Sequence, residues 1–97
     1  MSKITASARG EDCTVRLQGC SFDPLTTVFA HISGVRFGHG VAIKTKIGAY
    51  CCNKCHDIID GRVKRPEGMT RQDALIAHYE GVFETLIRLD KKGIIKL

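Results

Sequence analysis

The stretch Gly48-Ala-Tyr-Cys-Cys-Asn-Lys-Cys-His-Asp57 carries three of the five cysteines in this 97-residue chain. Cys52-Asn-Lys-Cys55 is a C-x-x-C knuckle with His56 directly behind it. Upstream, Cys13 and Cys20 bracket Thr14-Val-Arg-Leu-Gln-Gly19 as a second, looser pair. Two pairs supply four thiolates, the tetrahedral set of a structural zinc site, and soft sulfur donors suit zinc. Cys51 is then a spare thiol, because the two-residue spacing favours Cys52 as the ligand. A buried free cysteine is common for one residue but is a poor account of a C-x-x-C beside a histidine. A redox C-x-x-C calls for a surrounding βαβ pattern, which this chain lacks. The odd cysteine count, with no apolar leader at the N-terminus, argues against a disulfide framework and for an intracellular, cytoplasmic setting.

Outward from the knuckle, composition bounds the rest. Length suits one domain, residues 1–97, and a core this small with no tryptophan calls for an extra staple such as zinc. Hydrophobic residues make up 43% and charged residues 26%, which excludes a wholly disordered chain. No apolar run is long enough to span a membrane. The net charge is +5, and residues 31–65 carry all of it, with seven basic residues against two acidic ones. A positive field concentrated in this way suits a polyanionic partner such as nucleic acid, through release of condensed counterions.

The predicted elements follow from local pattern. Residues 1–12 read as an arm or short helix, and 13–17 as extended. Residues 26–32, Thr-Thr-Val-Phe-Ala-His-Ile, are rich in β-branched and aromatic types and read as a strand after a turn fixed by Pro24. A glycine-punctuated loop with His39 follows, then a second extended piece over 41–47. Residues 53–60 read as a short helix closed near Gly61. Residues 62–68 form a basic linker. Thr70 with Asp73 is an acidic capping box that opens a helix over 70–92. Its predicted core stripe is Leu75, Tyr79, Val82, Leu86 and Leu89, widened by Ile76, Phe83 and Ile87. A stripe of this length also suits pairing with a second copy. Residues 94–97 read as a final strand. The fold class expected is α+β.

On a helix, Cys52, Cys55 and His56 share one face, and Asp60 falls on the same stripe. The ordered pattern Cys13…Cys20…Ala30-His31-Ile32…Cys52-x-x-Cys55-His56 resembles HNH endonucleases of the zinc-bearing ββα-metal (His-Me finger) type. More closely, Ala8-Arg-Gly10, Cys13-Thr-Val-Arg-Leu17, Thr27-Val-Phe-Ala-His31, Cys55-His-Asp57 and Ile59-Asp-Gly-Arg62 resemble the YbcO-like nucleases of phages and prophages. The likeness spans about residues 8–62, and the long helix matches only in kind.

The resemblance implies a zinc-bound ββα core over 8–62 with 70–92 as an added packing helix. It implies structural Zn²⁺ at Cys13, Cys20, Cys52 and Cys55, His31 as general base, and His56 as ligand of a catalytic Mg²⁺ or other divalent ion, with weaker help from Asp60. An imidazole with an ordinary pKa near 6.5 suits general-base work at neutral pH. The implied partner is DNA, in phage or prophage recombination or DNA processing, with Lys44, Lys46, Lys54 and Arg62 on phosphates. The chain departs from many HNH enzymes at Ala30, where they carry an acid, and it has no acid between Asp23 and Asp57. Beside these roles stand plainer ones. His31 is a packed core histidine, His56 a fourth zinc ligand in place of Cys20, and the whole a noncatalytic nucleic-acid-binding zinc knuckle. His39 reads as solvated and His78 as a surface or packing residue.

Overall fold

The computed structural model describes residues 3–32 and 47–97. Along them run helix α1 (Lys3–Ala6), a 3-10 turn at Pro24–Thr26, strand β1 (Val28–His31), strand β2 (Gly48–Cys51), helix α2 (Asn53–Ile59) and helix α3 (Arg71–Lys91). The result is a small α+β arrangement in which two strands are followed directly by a helix. The turn before β1 forms because Asp23 caps it, its carboxylate accepting from the Leu25 amide at 3.0 Å, with Pro24 at the first position.

The strands pair antiparallel, with Val28 opposite Cys51 and His31 opposite Gly48. A Cβ on Gly48 would stand 2.7 Å from the Ala30 carbonyl oxygen and 2.7 Å from the Phe29 ring, so glycine alone fits beside the end of β1. The far edge of β2 is closed by threonines. Tyr50 C=O accepts from the Thr14 amide at 2.7 Å and from the Thr14 hydroxyl at 2.9 Å, while Tyr50 N–H donates to Thr85 Oγ1 at 2.9 Å. These bonds satisfy a buried edge that would otherwise leave backbone groups unpaired.

Two expectations about the elements are corrected, and a third lies mostly outside the described residues. Residues 13–17 form no strand, because Arg16 takes a left-handed backbone (φ 50°) that breaks extension; the segment caps the β2 edge instead. Residues 94–97 form no strand either. Gly93 at φ 75° reverses the chain in a Schellman motif, with Ile94 N–H on Leu89 C=O at 3.0 Å and Gly93 N–H on Asp90 C=O at 3.0 Å. Ile94 and Ile95 fold back onto Leu89. The second extended piece was expected over 41–47; 41–46 lie outside the described residues, and the strand that pairs with β1 is Gly48–Cys51.

Helix α3 starts at the predicted capping box, with Asp73 N–H on Thr70 Oγ1 at 3.0 Å and Thr70 N–H on Asp73 Oδ2 at 2.9 Å. Its buried face keeps Val82 and Leu89 of the predicted stripe and otherwise runs through smaller and polar residues. It is Ala74, His78, Gly81, Val82, Thr85 and Leu89, whereas Leu75, Tyr79 and Leu86 are half-buried and Ile76, Phe83 and Ile87 are exposed. The cause is close approach. A Cβ on Gly81 would lie 2.9 Å from Thr14 Oγ1 and 3.0 Å from Val15 Cγ2, so only small residues let the helix lie against the sheet. One core cluster gathers Val15, Leu17, Ala30, Ile58 and Val82 around the cysteines; a second gathers Ala8, Phe29 and Leu89 around Tyr50.

Candidate functional site

The cysteines converge because β2 ends where α2 begins. Cys52 is the N-cap of α2, its sulfur accepting from the Cys55 amide at 3.4 Å, and Cys55 sits buried in the first turn. The irregular 13–20 segment, turned at Gly19 (φ 95°), brings the other pair. The Sγ atoms of Cys13, Cys20, Cys52 and Cys55 all lie within 4.8 Å of one another, and those of Cys20 and Cys52 are 3.6 Å apart. A zinc ion about 2.3 Å from each of four sulfurs would set them roughly 3.8 Å apart, so the quartet fits that ion. Backbone amides of Arg16 and Phe22 point at the Cys13 and Cys20 sulfurs at 3.5 and 3.4 Å, as outer-shell donors to thiolates do. These four residues can hold a metal such as zinc.

The thiols divide their protons unequally. Hydrogen bonds from Cys51 and Cys55 hold the Cys13 thiol down, and the same contacts with Cys13 push Cys55 and Cys51 up. Burial raises Cys20 to about 11. At Cys52 burial pushes upward, but hydrogen bonds from Ser21 and the Cys55 amide outweigh it, and the thiol falls. Sulfurs packed this closely repel one another as thiolates unless a cation lies among them, and a coordinating cation removes their protons outright. Cys51 is fully buried, and its sulfur is outside the quartet.

His56 occupies the next position of α2. Its Nε2 lies 3.1 Å from Asp60 Oδ2 one turn on, and both side chains are partly open to solvent. The predicted stripe of 52, 55, 56 and 60 is thus realised. Arg62 lies 3.5 Å from Asp57 Oδ1 and 3.5 Å from Asp60 Oδ2, so two carboxylates compete for the guanidinium that sequence assigned to phosphate. Among the described residues, the four cysteines are the one cluster with three or more metal donors in reach; His56 and Asp60 offer two.

His31 ends β1 and is exposed, its ring edge-on to Phe29 with centroids 5.1 Å apart. The packed-core alternative for His31 therefore does not describe its setting. The carbonyl of the preceding Ala30 is 3.0 Å from Nε2 of His78, which comes from α3. His78 is buried, and burial lowers its pKa against the opposing effect of that bond; the charges of Asp60 and His56 also reach it. The neutral ring donates from Nε2. His78 thus joins the end of β1 to the surroundings of His56 and Asp60, a role the sequence reading missed because His78 falls off the large-residue stripe. Lys54 is exposed on α2, whereas Lys44, Lys46 and His39 lie outside the described residues.

A paired strand, a cysteine quartet and a histidine at the head of the following helix define a small α+β protein whose four cysteines could hold a metal. A family profile described as "Putative nuclease YbcO" matches residues 2–94, and the chain belongs to that family. It is 35% identical to "Putative nuclease YbcO" of Escherichia coli (strain K12) over 99 residues, covering 99% of each chain. The same figures hold for "Putative nuclease ybcO" of Enterobacteria phage 82. It is also similar to a solved structure titled "Structure of a putative bacteriophage protein from Escherichia coli str. K-12 substr. MG1655", with TM-score 0.72, 31% identity, and 92% of this chain and 98% of that one covered. Among the described residues, no helix is long and apolar enough to cross a membrane.

Proposed function

We propose that this protein is a metal-dependent endonuclease of the HNH type, hydrolysing phosphodiester bonds of DNA in phage or prophage recombination or DNA processing. The observation that supports this most is the setting of two histidines. His31 is solvent-exposed at the end of β1, and His56 is partly open on the helix capped by a cysteine of the quartet, its ring against Asp60. His31 takes the proton of the attacking water. His56, with Asp60, would hold a divalent ion, with water and substrate phosphate filling its other positions. When bound, that ion supplies Lewis-acid stabilisation of the charge gathered at the scissile phosphate and the leaving 3′-oxygen. Lys54 and Arg62 contact phosphates, and Lys44 and Lys46, outside the described residues, belong to the same proposal. Self-association through the exposed Ile76, Phe83 and Ile87 of α3 belongs to the same proposal, and sedimentation checks it.

The test is a plasmid-nicking assay with Mg²⁺ or Mn²⁺. Wild type nicks; His31→Ala loses nicking by about two to four orders of magnitude, the usual contribution of a general base, while salt-sensitive DNA binding stays nearly intact. Binding without cutting, across divalent metals and DNA structures, would leave a noncatalytic nucleic-acid-binding zinc knuckle, which the missing acid at Ala30 favours.

A further inference from the structure

Beyond the two histidines, a cavity of about 90 Å³ opens between the end of β1, α2 and the start of α3. Its apolar floor includes Ile32, Ile58 and Ile59, and two guanidinium side chains, Arg65 and Arg71, stand in its wall. Among the described residues, neither arginine has a carboxylate within ion-pair distance, whereas Arg16, Arg62 and Arg88 all do. Two exposed, unpaired cationic side chains lining one concavity draw an anion toward it. The volume selects the anion. It holds about three waters, and it is well below the roughly 300 Å³ where small-molecule sites begin, so a nucleobase is too large and a tetrahedral oxyanion is the right size. Guanidinium forks match phosphate oxygens bidentately.

Position says which phosphate. Ile32 directly follows His31, and Ile59 lies one helical turn beyond His56. His78, which also lines the cavity, bonds Ala30 and feels the charges of His56 and Asp60. We propose that Arg65 and Arg71 form a subsite for one backbone phosphate of the DNA strand, neighbouring the phosphate that is cut. The cutting half of this statement rests on the function proposed above; the phosphate half stands on binding alone.

The test measures duplex binding by fluorescence anisotropy in Ca²⁺ across a series of salt concentrations. Arg65→Gln/Arg71→Gln should lower the slope of log K against log salt by about 0.9 and weaken binding roughly eightfold at 0.1 M salt, as one phosphate contact fewer requires. Arg65→Lys/Arg71→Lys should keep the slope. Lys3→Gln/Arg9→Gln, an equal charge change at two exposed sites elsewhere, should also keep it, which separates a subsite from a general field. An unchanged slope in the double glutamine variant with its fold intact by circular dichroism overturns the subsite. A slope change matched by Lys3→Gln/Arg9→Gln overturns it too. If inorganic phosphate binds in an arginine-dependent way while the DNA slope does not move, the site takes free phosphate and the proposal fails. Wild type that never nicks yet shows the arginine-dependent slope sinks the endonuclease reading and leaves the subsite standing.

Discussion

Two buried threonines predict opposite outcomes for the same substitution. Thr85 is fully buried on α3, and its hydroxyl oxygen is the acceptor for Tyr50 N–H on the far edge of β2, at 2.9 Å. In Thr85→Val that amide keeps its burial and loses its partner, which costs about 1–3 kcal/mol, more than the net worth of the bond itself. Replacing a hydroxyl by a methyl returns roughly 0.8 kcal/mol of apolar burial, and helix propensity barely changes. The expected loss lies between about 0.2 and 2.2 kcal/mol, centred near 1.2 kcal/mol. At 4–8 °C per kcal/mol for a domain of this size, the central value lowers Tm by about 5–10 °C. Thr27 is also buried, but its Oγ1 has no partner among the described residues. Thr27→Val removes an unpaired polar atom, so stability should hold or rise by up to about 1 kcal/mol. The assay is thermal and urea unfolding at saturating zinc, since ligand occupancy otherwise moves both midpoints. Thr85→Ser, which keeps the oxygen, should recover most of the loss. If both valine variants shift in the same direction, or Thr85→Ser is as unstable as Thr85→Val, the hydroxyl is not what holds α3 to β2.

Other expectations follow from the same contacts. Metal analysis should find about one zinc per chain, and Cys55→Ser should be unfolded by circular dichroism, because a structural zinc contributes on the order of 10 kcal/mol; a folded, metal-free protein with titratable thiols would refute the zinc centre. Cys51→Ala should retain its zinc, since that sulfur is outside the quartet; loss of metal would make Cys51 a ligand. The pKa of His78 is lowered from its ordinary 6.5 by burial, so on acidification the unfolded chain takes a proton that the folded chain refuses. Stability therefore falls as pH drops below about 6.5, and His78→Gln, which can still donate to Ala30, should lose that part of the slope; equal slopes between pH 7.5 and 5.5 would contradict it. Gly48→Ala would drive a methyl to 2.7 Å from the Ala30 oxygen, costing about 1–3 kcal/mol and reducing nicking by displacing the end of β1; wild-type stability would show the hairpin to be looser than its geometry.

What could be read in the sequence was local. Cys55 and His56 sit within one short helix that Cys52 and Asp60 cap, so spacing alone brings them close together, and Thr70 with Asp73 announces the start of α3. The stretch that became β1 is β-branched and aromatic. What could not be read depended on partners distant in sequence. Gly48-Ala-Tyr-Cys51 has no β-branched residue, and it is a strand because β1 and two threonines pair with it. The buried face of α3 takes in Ala74, His78, Gly81 and Thr85 beside Val82 and Leu89 because the helix must clear Thr14 and Val15 at Gly81, a constraint invisible until the segments meet. The unpaired state of Arg65 was likewise hidden inside a basic stretch that looked like linker, and that of Arg71 in the first turn of the long helix.

Strand β2 shows why the quartet and the long helix belong to one design. Four residues paired with four others make a hairpin too small to stand alone in water. One end of β2 runs directly into Cys52, so a metal at the quartet pins that end. The outer edge is held by Thr14 and Thr85, so α3 pins the side. His56 takes its place from the first clamp, because it follows Cys55 on the helix that Cys52 caps. His31 takes its place from the second, because Ala30 is bonded to His78 of α3 and its partner strand is held by Thr85. The His31 ring leans edge-on against Phe29 of its own strand, and His56 meets Asp60 of its own helix, so each imidazole moves with the element that carries it. Those two elements are held from different sides, and β2 is the element that both holds share.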